Sequence, residues 1–288
     1  MLGEVLFGGG AQGSGAIAEN CDGVNELSMA SPLPRATRLP LGASLVEVSR
    51  LCLGLGSSGC GSTSMQGRLP PAEVADFLVH AFERGVTWWD TSDDYGSQPH
   101  VRAACARVGR SRVQITTKSH APDAATLRSS LDASLRELGT DYVDIFLLHE
   151  VDSPHDLVRR DSAIHALTDL RKEGRARLVG LSTHNIDVLE RVAGDARFDV
   201  VLTNYNMAGV HMDADHGDYA RALQRAFEAG QGVAVMKTLG EGILAPRYSE
   251  AVRHNLALDF VHGVLVGVKS LEETRRACDE WEEFLDGP

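Results

Sequence analysis

From residue 50 onward the chain alternates short apolar runs with longer helical stretches, and this alternation leaves few folds open. The runs are RLCLGLG (50–56), VTWWD (86–90), VQITTK (113–118), YVDIFLLH (142–149), RLVGLST (177–183), VVLTNYN (200–206), VAVMK (233–237) and VLVGV (264–268). Between them lie stretches of helical periodicity closing on glycine, a common helix stop, such as AEVADFLVHAFERG (72–85), AATLRSSLDASLRELG (124–139) and YARALQRAFEAG (219–230). Buried parallel strands read as continuous apolar runs. Eight strand–helix units close naturally into a (β/α)8 barrel, the TIM-type α/β fold. A doubly wound open sheet rarely needs eight strands, and its phosphate loop is missing.

The chain has 288 residues, ample for one such core, with 28 basic against 40 acidic residues and a net charge of −12. That balance argues against nucleic acid or an anionic membrane as partner, and no apolar run reaches the length of a membrane span. Five cysteines form no CxxC pair and no regular framework, so neither structural zinc nor a disulfide scaffold is expected. The expectation is a reduced, cytoplasmic protein without a secretory signal, a monomer or weak homo-oligomer. Residues 1–40 differ from the rest: they are Gly-rich over 8–15, broken by Pro32, Pro34 and Pro40, and without apolar period. They are read as a tail, disordered or, over the first 28 residues, a non-native start, and 41–288 as a single barrel domain. Two GxGxxG matches, at Gly8–Gly13 and Gly54–Gly59, lack the strand and helix context of a dinucleotide loop and read as turns.

Active sites of this fold lie at the C-terminal ends of the strands. Three consecutive strands end in Asp90, Lys118 and His149, and Tyr95 lies in the loop after Asp90. Adjacent strands are about 5 Å apart, so these side chains can converge on one small volume. Their chemistry suits carbonyl reduction. Hydride delivered to a carbonyl carbon leaves an alkoxide that needs a proton. Tyr95 would supply it, with Lys118 lowering the phenol pKa, Asp90 holding the ammonium and His149 orienting the carbonyl. A Schiff-base aldolase using the rim lysine leaves Tyr95 without a role.

The segments VTWWDTSDDYG, TTK, DYVDIFLLH, LVGLSTHN and GVKSLEETR resemble the aldo-keto reductase superfamily, in order and at the expected strand ends. The resemblance covers about residues 44–285. It implies a TIM-type barrel, reduction of a small-molecule carbonyl, and a catalytic tetrad of Asp90, Tyr95, Lys118 and His149. It further implies a nicotinamide site at Ser182, Thr183, Met236 and Lys237, and a 2′-phosphate site at Lys269, Ser270 and Arg275 that favours NADPH over NADH. Lys237 faces the substrate pocket or pairs with Glu241.

Three positions depart from the family pattern: Thr183 for an Asn, Leu202 for a Gln and Met236 for a stacking aromatic, with Asn204 placed to compensate. Asp279 stands where relatives often have Asn. His211, Asp213, Asp215 and His216 have metal-binding residue types but read as a solvated loop, so no metal ligands are assigned. Trp88 and Trp89 should face opposite sides of their strand. The acidic residues of the last helix (Glu272, Glu273, Asp279, Glu280, Glu282, Glu283) read as a wet face. Only 18 residues follow Ser270, which predicts an open substrate site built from the loops after the first, fourth and sixth strands. Two other readings keep the barrel: NADP(H) binding without turnover, in a regulatory or redox-sensing role, and a non-redox elimination or isomerisation using the same Tyr–Lys pair.

Overall fold

A short antiparallel hairpin, β1 (Leu39–Pro40) and β2 (Glu47–Val48), leads into the alternating elements. These are β3 (Leu51–Gly54), α1 (Pro71–Glu83), β4 (Trp88–Asp90), α2 (Gln98–Val108), β5 (Gln114–Ser119), α3 (Ala124–Leu138), β6 (Val143–Leu148), α4 (Pro154–Arg159) and α5 (Asp161–Lys172). There follow β7 (Ala176–Thr183), α6 (Ile186–Val192), β8 (Val200–Asn204), α7 (His216–Glu228), β9 (Gly232–Met236), α8 (Tyr248–Leu256), β10 (Gly263–Gly267) and α9 (Leu271–Asp286). This computed structural model describes residues 37–57 and 62–287. The expected tail up to residue 36, the first GxGxxG match, and Ser58 and Gly59 of the second lie outside the described residues.

Strands β3 to β10 pair in parallel and close, β10 against β3, into the eight-stranded barrel that the sequence implies. Four of the strands, β3, β4, β6 and β8, are shorter than their apolar runs, because pairing ends where neighbours diverge while burial continues. Helix α3 illustrates how its boundaries are set. The Asp123 carboxylate accepts the Thr126 N–H at its start, and Gly139 adopts a left-handed conformation at its end.

Two apolar layers follow from strand alternation. The outer one joins strands to helices and includes Trp89; the inner one fills the barrel with Cys52, Trp88, Ile145, Leu147, Leu178, Val200, Leu202, Ala234 and Leu265. Trp88 and Trp89 thus face opposite ways, and the Trp88 indole donates to Thr116 Oγ1 at 2.8 Å. Leu41, Val46 and Val48 of the hairpin join the inner layer, so the hairpin seals the N-terminal end. Ala43 N–H donates to the Gly230 carbonyl at 2.8 Å, just before β9.

Polar groups at this lower end are tightly engaged. The Arg50 guanidinium donates to the carbonyls of Leu256, Leu258 and Val261 at 2.8, 3.1 and 3.0 Å. Asp144, fully enclosed, accepts from Arg110, Arg177 and the Ile115 N–H at 2.8, 3.0 and 3.0 Å. His262 Nδ1 accepts the Val233 N–H at 3.1 Å. No helix among the described residues is long and apolar enough to cross a membrane.

Candidate active site

The opposite end of the barrel brings the four sequence-nominated side chains together. Asp90 ends β4, Lys118 lies near the end of β5, and His149 directly follows β6, so three adjacent strands deliver them. Lys118 Nζ donates to Asp90 Oδ1 at 2.7 Å and to the Thr91 carbonyl at 2.8 Å, and both side chains are buried. The ammonium lies 4.8 Å from the centre of the Tyr95 ring, and Tyr95 OH lies 3.3 Å from His149 Nε2.

The charges at this rim follow from burial and pairing. Burial works against the Lys118 ammonium, yet Asp90 and Tyr95 hold its pKa above the usual lysine range. Burial also pushes the Asp90 carboxyl up, with Lys118 opposing it. The Tyr95 phenol departs from the sequence expectation: Lys118 does favour the phenolate, but burial outweighs it and the pKa rises to about 12. His149 is held well below the ordinary histidine value by burial, reinforced by Lys118 and His120, and is neutral at physiological pH.

Several supporting residues were not nominated from sequence. A Cβ on Gly56 would fall 2.2 Å from the Tyr95 ring, so only glycine lets the ring lie across the end of β3. Gly67 does the same beneath the Tyr95 carbonyl, where a Cβ would sit at 2.3 Å. Their signal in the sequence is the glycine-rich character of the turn after the first strand. Ser92, buried, meets His149 Nδ1 at 3.1 Å. Buried Arg160 donates to the carbonyls of Ala121 and His149 at 3.1 and 3.0 Å and ties the loops after β5 and β6 together. Asp94 and His120 flank His149: His120 Nε2 is 3.5 Å from Asp94 Oδ2, and the two imidazole centres are 4.2 Å apart. Hydrogen bonds from His120 and Ser92 hold the Asp94 carboxyl at about 2 despite burial.

The remaining sequence-nominated residues occupy the adjoining strand ends. Ser182 Oγ accepts the Glu150 N–H at 3.0 Å, which leaves its own hydrogen to donate. Thr183 donates to the Val151 carbonyl at 2.7 Å and accepts the Asn185 N–H at 3.0 Å, so most of its capacity is spent on the loop. Leu202 packs in the barrel interior. Asn204 gives its amide to the His211 carbonyl and does not stand free to compensate. Met236 is half-buried at the end of β9. Lys237 pairs with Glu241 at 2.6 Å, the second of the two expected arrangements. His184, which sequence reading passed over, has a buried Nε2 without a hydrogen-bond partner.

Before α9, Ser270 is the N-cap, accepting the Glu273 N–H at 3.1 Å. Lys269 lies 3.6 Å from the Glu273 carboxylate, and Arg275 is exposed one turn on. Two expectations need correction. The acidic face of α9 is not simply wet: Glu280 is buried and bound by Ser249 and Arg253, while Asp279 and Glu282 both pair with Arg84. The loop after β8 is not merely solvated either. Asp213 accepts from Asn185, Ile186 and Tyr219, Asp215 caps α7, and His216 Nε2 meets the Asn206 carbonyl at 2.9 Å.

The sequence profile of the Aldo/keto reductase family matches residues 50–286. The chain is 31% identical to the methylglyoxal reductase DkgB of Salmonella typhi over 193 residues, which are 65% of this chain and 71% of that protein. Among solved structures it resembles PA4992 of Pseudomonas aeruginosa, assigned to the aldo-keto reductases, with a TM-score of 0.73 at 22% identity, covering 90% of this chain and 99% of that one. It also resembles the holo form of aldo-keto reductase AKR11C1 of Bacillus halodurans, with a TM-score of 0.68 at 22% identity over 85% and 90% of the two chains. Those structures share the fold, and the profile match spans the whole barrel. The chain belongs to the aldo/keto reductase family, a family of oxidoreductases.

Proposed function

We propose that the protein reduces an aldehyde or ketone to an alcohol, with NADPH as reductant and Tyr95 as the acid. The observation that carries this reading is the meeting of Tyr95 OH with a neutral His149 Nε2 at 3.3 Å, backed by the Lys118–Asp90 pair at 2.7 Å. A carbonyl oxygen placed between the phenol and the imidazole would be held by both. When bound, the nicotinamide supplies hydride to the carbonyl carbon. The Tyr95 O–H bond then breaks, its proton passes to the developing alkoxide, and the electron pair stays on the phenolate. Burial keeps that phenol protonated at neutral pH, ready to donate. Lys118, held charged by Asp90, stabilises the phenolate as it forms, which is where its attraction counts. His149 hydrogen-bonds the oxygen and fixes the face presented.

The residues present fit a nicotinamide. Ser182 retains a donor, His184 carries an orphaned buried nitrogen, and Met236 offers a half-buried apolar edge at the end of β9. Thr183 and Lys237 line the same strand ends. For the 2′-phosphate, Ser270 at the start of α9 with Lys269 and Arg275 provides a hydroxyl, two cations and a helix N-terminus. Lys269 would exchange the Glu273 carboxylate for the phosphate. A methylglyoxal reductase among the relatives supports a small carbonyl as substrate.

The test follows nicotinamide absorbance with a panel of aldehydes, ketones and quinones, for the wild type and Tyr95→Phe. The expected result is turnover that collapses in the variant while NADPH binding persists. The packing of Leu202 into the barrel and the engagement of Asn204 deprive the carboxamide of two partners, and they favour a second reading, a barrel that binds NADP(H) without turnover. NADPH binding with no turnover in either protein would select it. Absence of binding would overturn both.

A further inference from the structure

We propose that Asp94, His120 and His149 form a binding site for a divalent transition-metal ion of the Zn2+ class. The three residues come from the loops after β4, β5 and β6, so barrel closure alone brings them together. Each turns one ligand atom inward, and these atoms all lie within 4.8 Å of one another. His120 Nε2 is 3.5 Å from Asp94 Oδ2, and His149 Nδ1 is 3.9 Å from Asp94 Oδ1. An ion with bonds of about 2.0–2.1 Å in tetrahedral array sets its ligand atoms roughly 3.4 Å apart. To reach that geometry the two imidazoles, whose centres are 4.2 Å apart with planes at 33°, must turn their ring nitrogens towards one point beside the carboxylate. Two imidazoles and one carboxylate make a borderline-soft set, suited to Zn2+, Co2+ or Ni2+ rather than to Mg2+ or Ca2+.

The surroundings favour a cation here over a plain stack of imidazoles. A plain imidazole stack would leave the carboxylate as a surface partner, whereas Asp94 faces both rings. Lys118, at the same rim, is neutralised by Asp90 at 2.7 Å, and Arg160, which holds the His149 carbonyl at 3.0 Å, pairs with Asp156 at 3.2 Å. Ser92 Oγ, now 3.1 Å from His149 Nδ1, would yield that nitrogen to the ion. A metal on Nδ1 places the remaining ring hydrogen on Nε2, the atom that faces Tyr95. Occupancy would therefore set the tautomer of the histidine beside the phenol. The sequence had assigned no metal ligands, because Asp94 and His120 mean nothing until His149 is placed between them.

The inference does not depend on the reductase reading, and its test uses neither substrate nor NADPH. Chelator-treated full-length protein is titrated with Co2+ while the visible d–d absorption is recorded, then challenged with Zn2+. The expected result is one equivalent bound with the intense band of a four-coordinate site, displaced by Zn2+. Affinity should fall about tenfold or more in His120→Ala and in Asp94→Asn. It should be retained in His165→Ala, which removes an exposed histidine of α5. His120 is exposed and Asn is isosteric with Asp, so both variants should fold, which circular dichroism checks. No saturable binding by the wild type, or affinity unchanged in both ligand variants, overturns the proposal.

Discussion

The two ends of the barrel solve opposite problems with the same kinds of residue. At the lower end an arginine, an aspartate and a histidine are each absorbed into bonds with the backbone or with arginine side chains, and Arg50 alone reaches three carbonyls. At the upper end a lysine, an aspartate, a tyrosine and two histidines are held near one another, and the His184 ring keeps an unpartnered nitrogen. The backbone divides in the same way. Glu150, His211, Lys237 and Glu241, the non-glycine residues with positive φ among the described ones, all lie in loops leaving the C-terminal ends of β6, β8 and β9. Such conformations cost about 1–2 kcal/mol each, and they collect where chemistry is done. The lower end therefore carries stability, and the upper end gives some of it up to hold reactive groups in place.

The sharpest test of that division is the residue that belongs to both sides. Lys118→Met removes the cation beside Tyr95 and also strands the buried Asp90 carboxylate. Chemical denaturation should show a loss of about 3–5 kcal/mol, and turnover should disappear. An unchanged stability would mean that the pair is more hydrated than its burial implies. Next comes Arg50→Met, which removes the guanidinium's three bonds to carbonyls at the lower end. A loss of about 3 kcal/mol is expected with activity per folded molecule intact; a fall in activity of the folded fraction would break the comparison.

His262 gives a comparable effect through pH. Burial depresses its pKa from 6.5 to about 4, so the unfolded chain takes up the proton first. Its contribution is complete above pH 6.5 and drains away as pH falls towards 4, about 3 kcal/mol in all. In His262→Gln the denaturation midpoint should vary less across that window. A smaller effect comes from relieving the upper backbone. Glu150, at φ +46°, replaced by Gly should gain about 1 kcal/mol, read as a melting temperature higher by roughly 2–4 °C. The smallest is Glu273→Gln, which preserves the cap but frees Lys269. The ratio of NADPH to NADH affinity should rise about two- to threefold at low salt.

How much of this could be read from the chain depended on how local each signal was. The eight strands were legible because nearly all their positions are buried on both faces, which writes short, largely apolar runs into the sequence. Asp90, Lys118 and His149 were legible because they end such runs. The hairpin was not: β1 includes Pro40, and its register is set by Leu41 and Val46 packing into a barrel that closes far along the chain. Ser92, Asp94, His120 and Arg160 were missed because their partners come from other loops. The buried Glu280 looked wet because Arg253, on the neighbouring α8, is what accommodates it. The Tyr95 phenol was expected to be shifted down for a related reason: its charged neighbour was visible in the sequence, and its burial was not.

The contact between Gly56 and the Tyr95 ring has a consequence for inheritance. The tyrosine can stay where it is only while position 56 stays empty, so the proposed acid is recorded twice, once as a phenol and once as a missing methyl group. A descendant that kept all four polar side chains but acquired alanine there would look intact in any comparison of reactive residues. Its phenol would nevertheless be evicted from the rim. The silent half of the record is as open to mutation as the phenol itself.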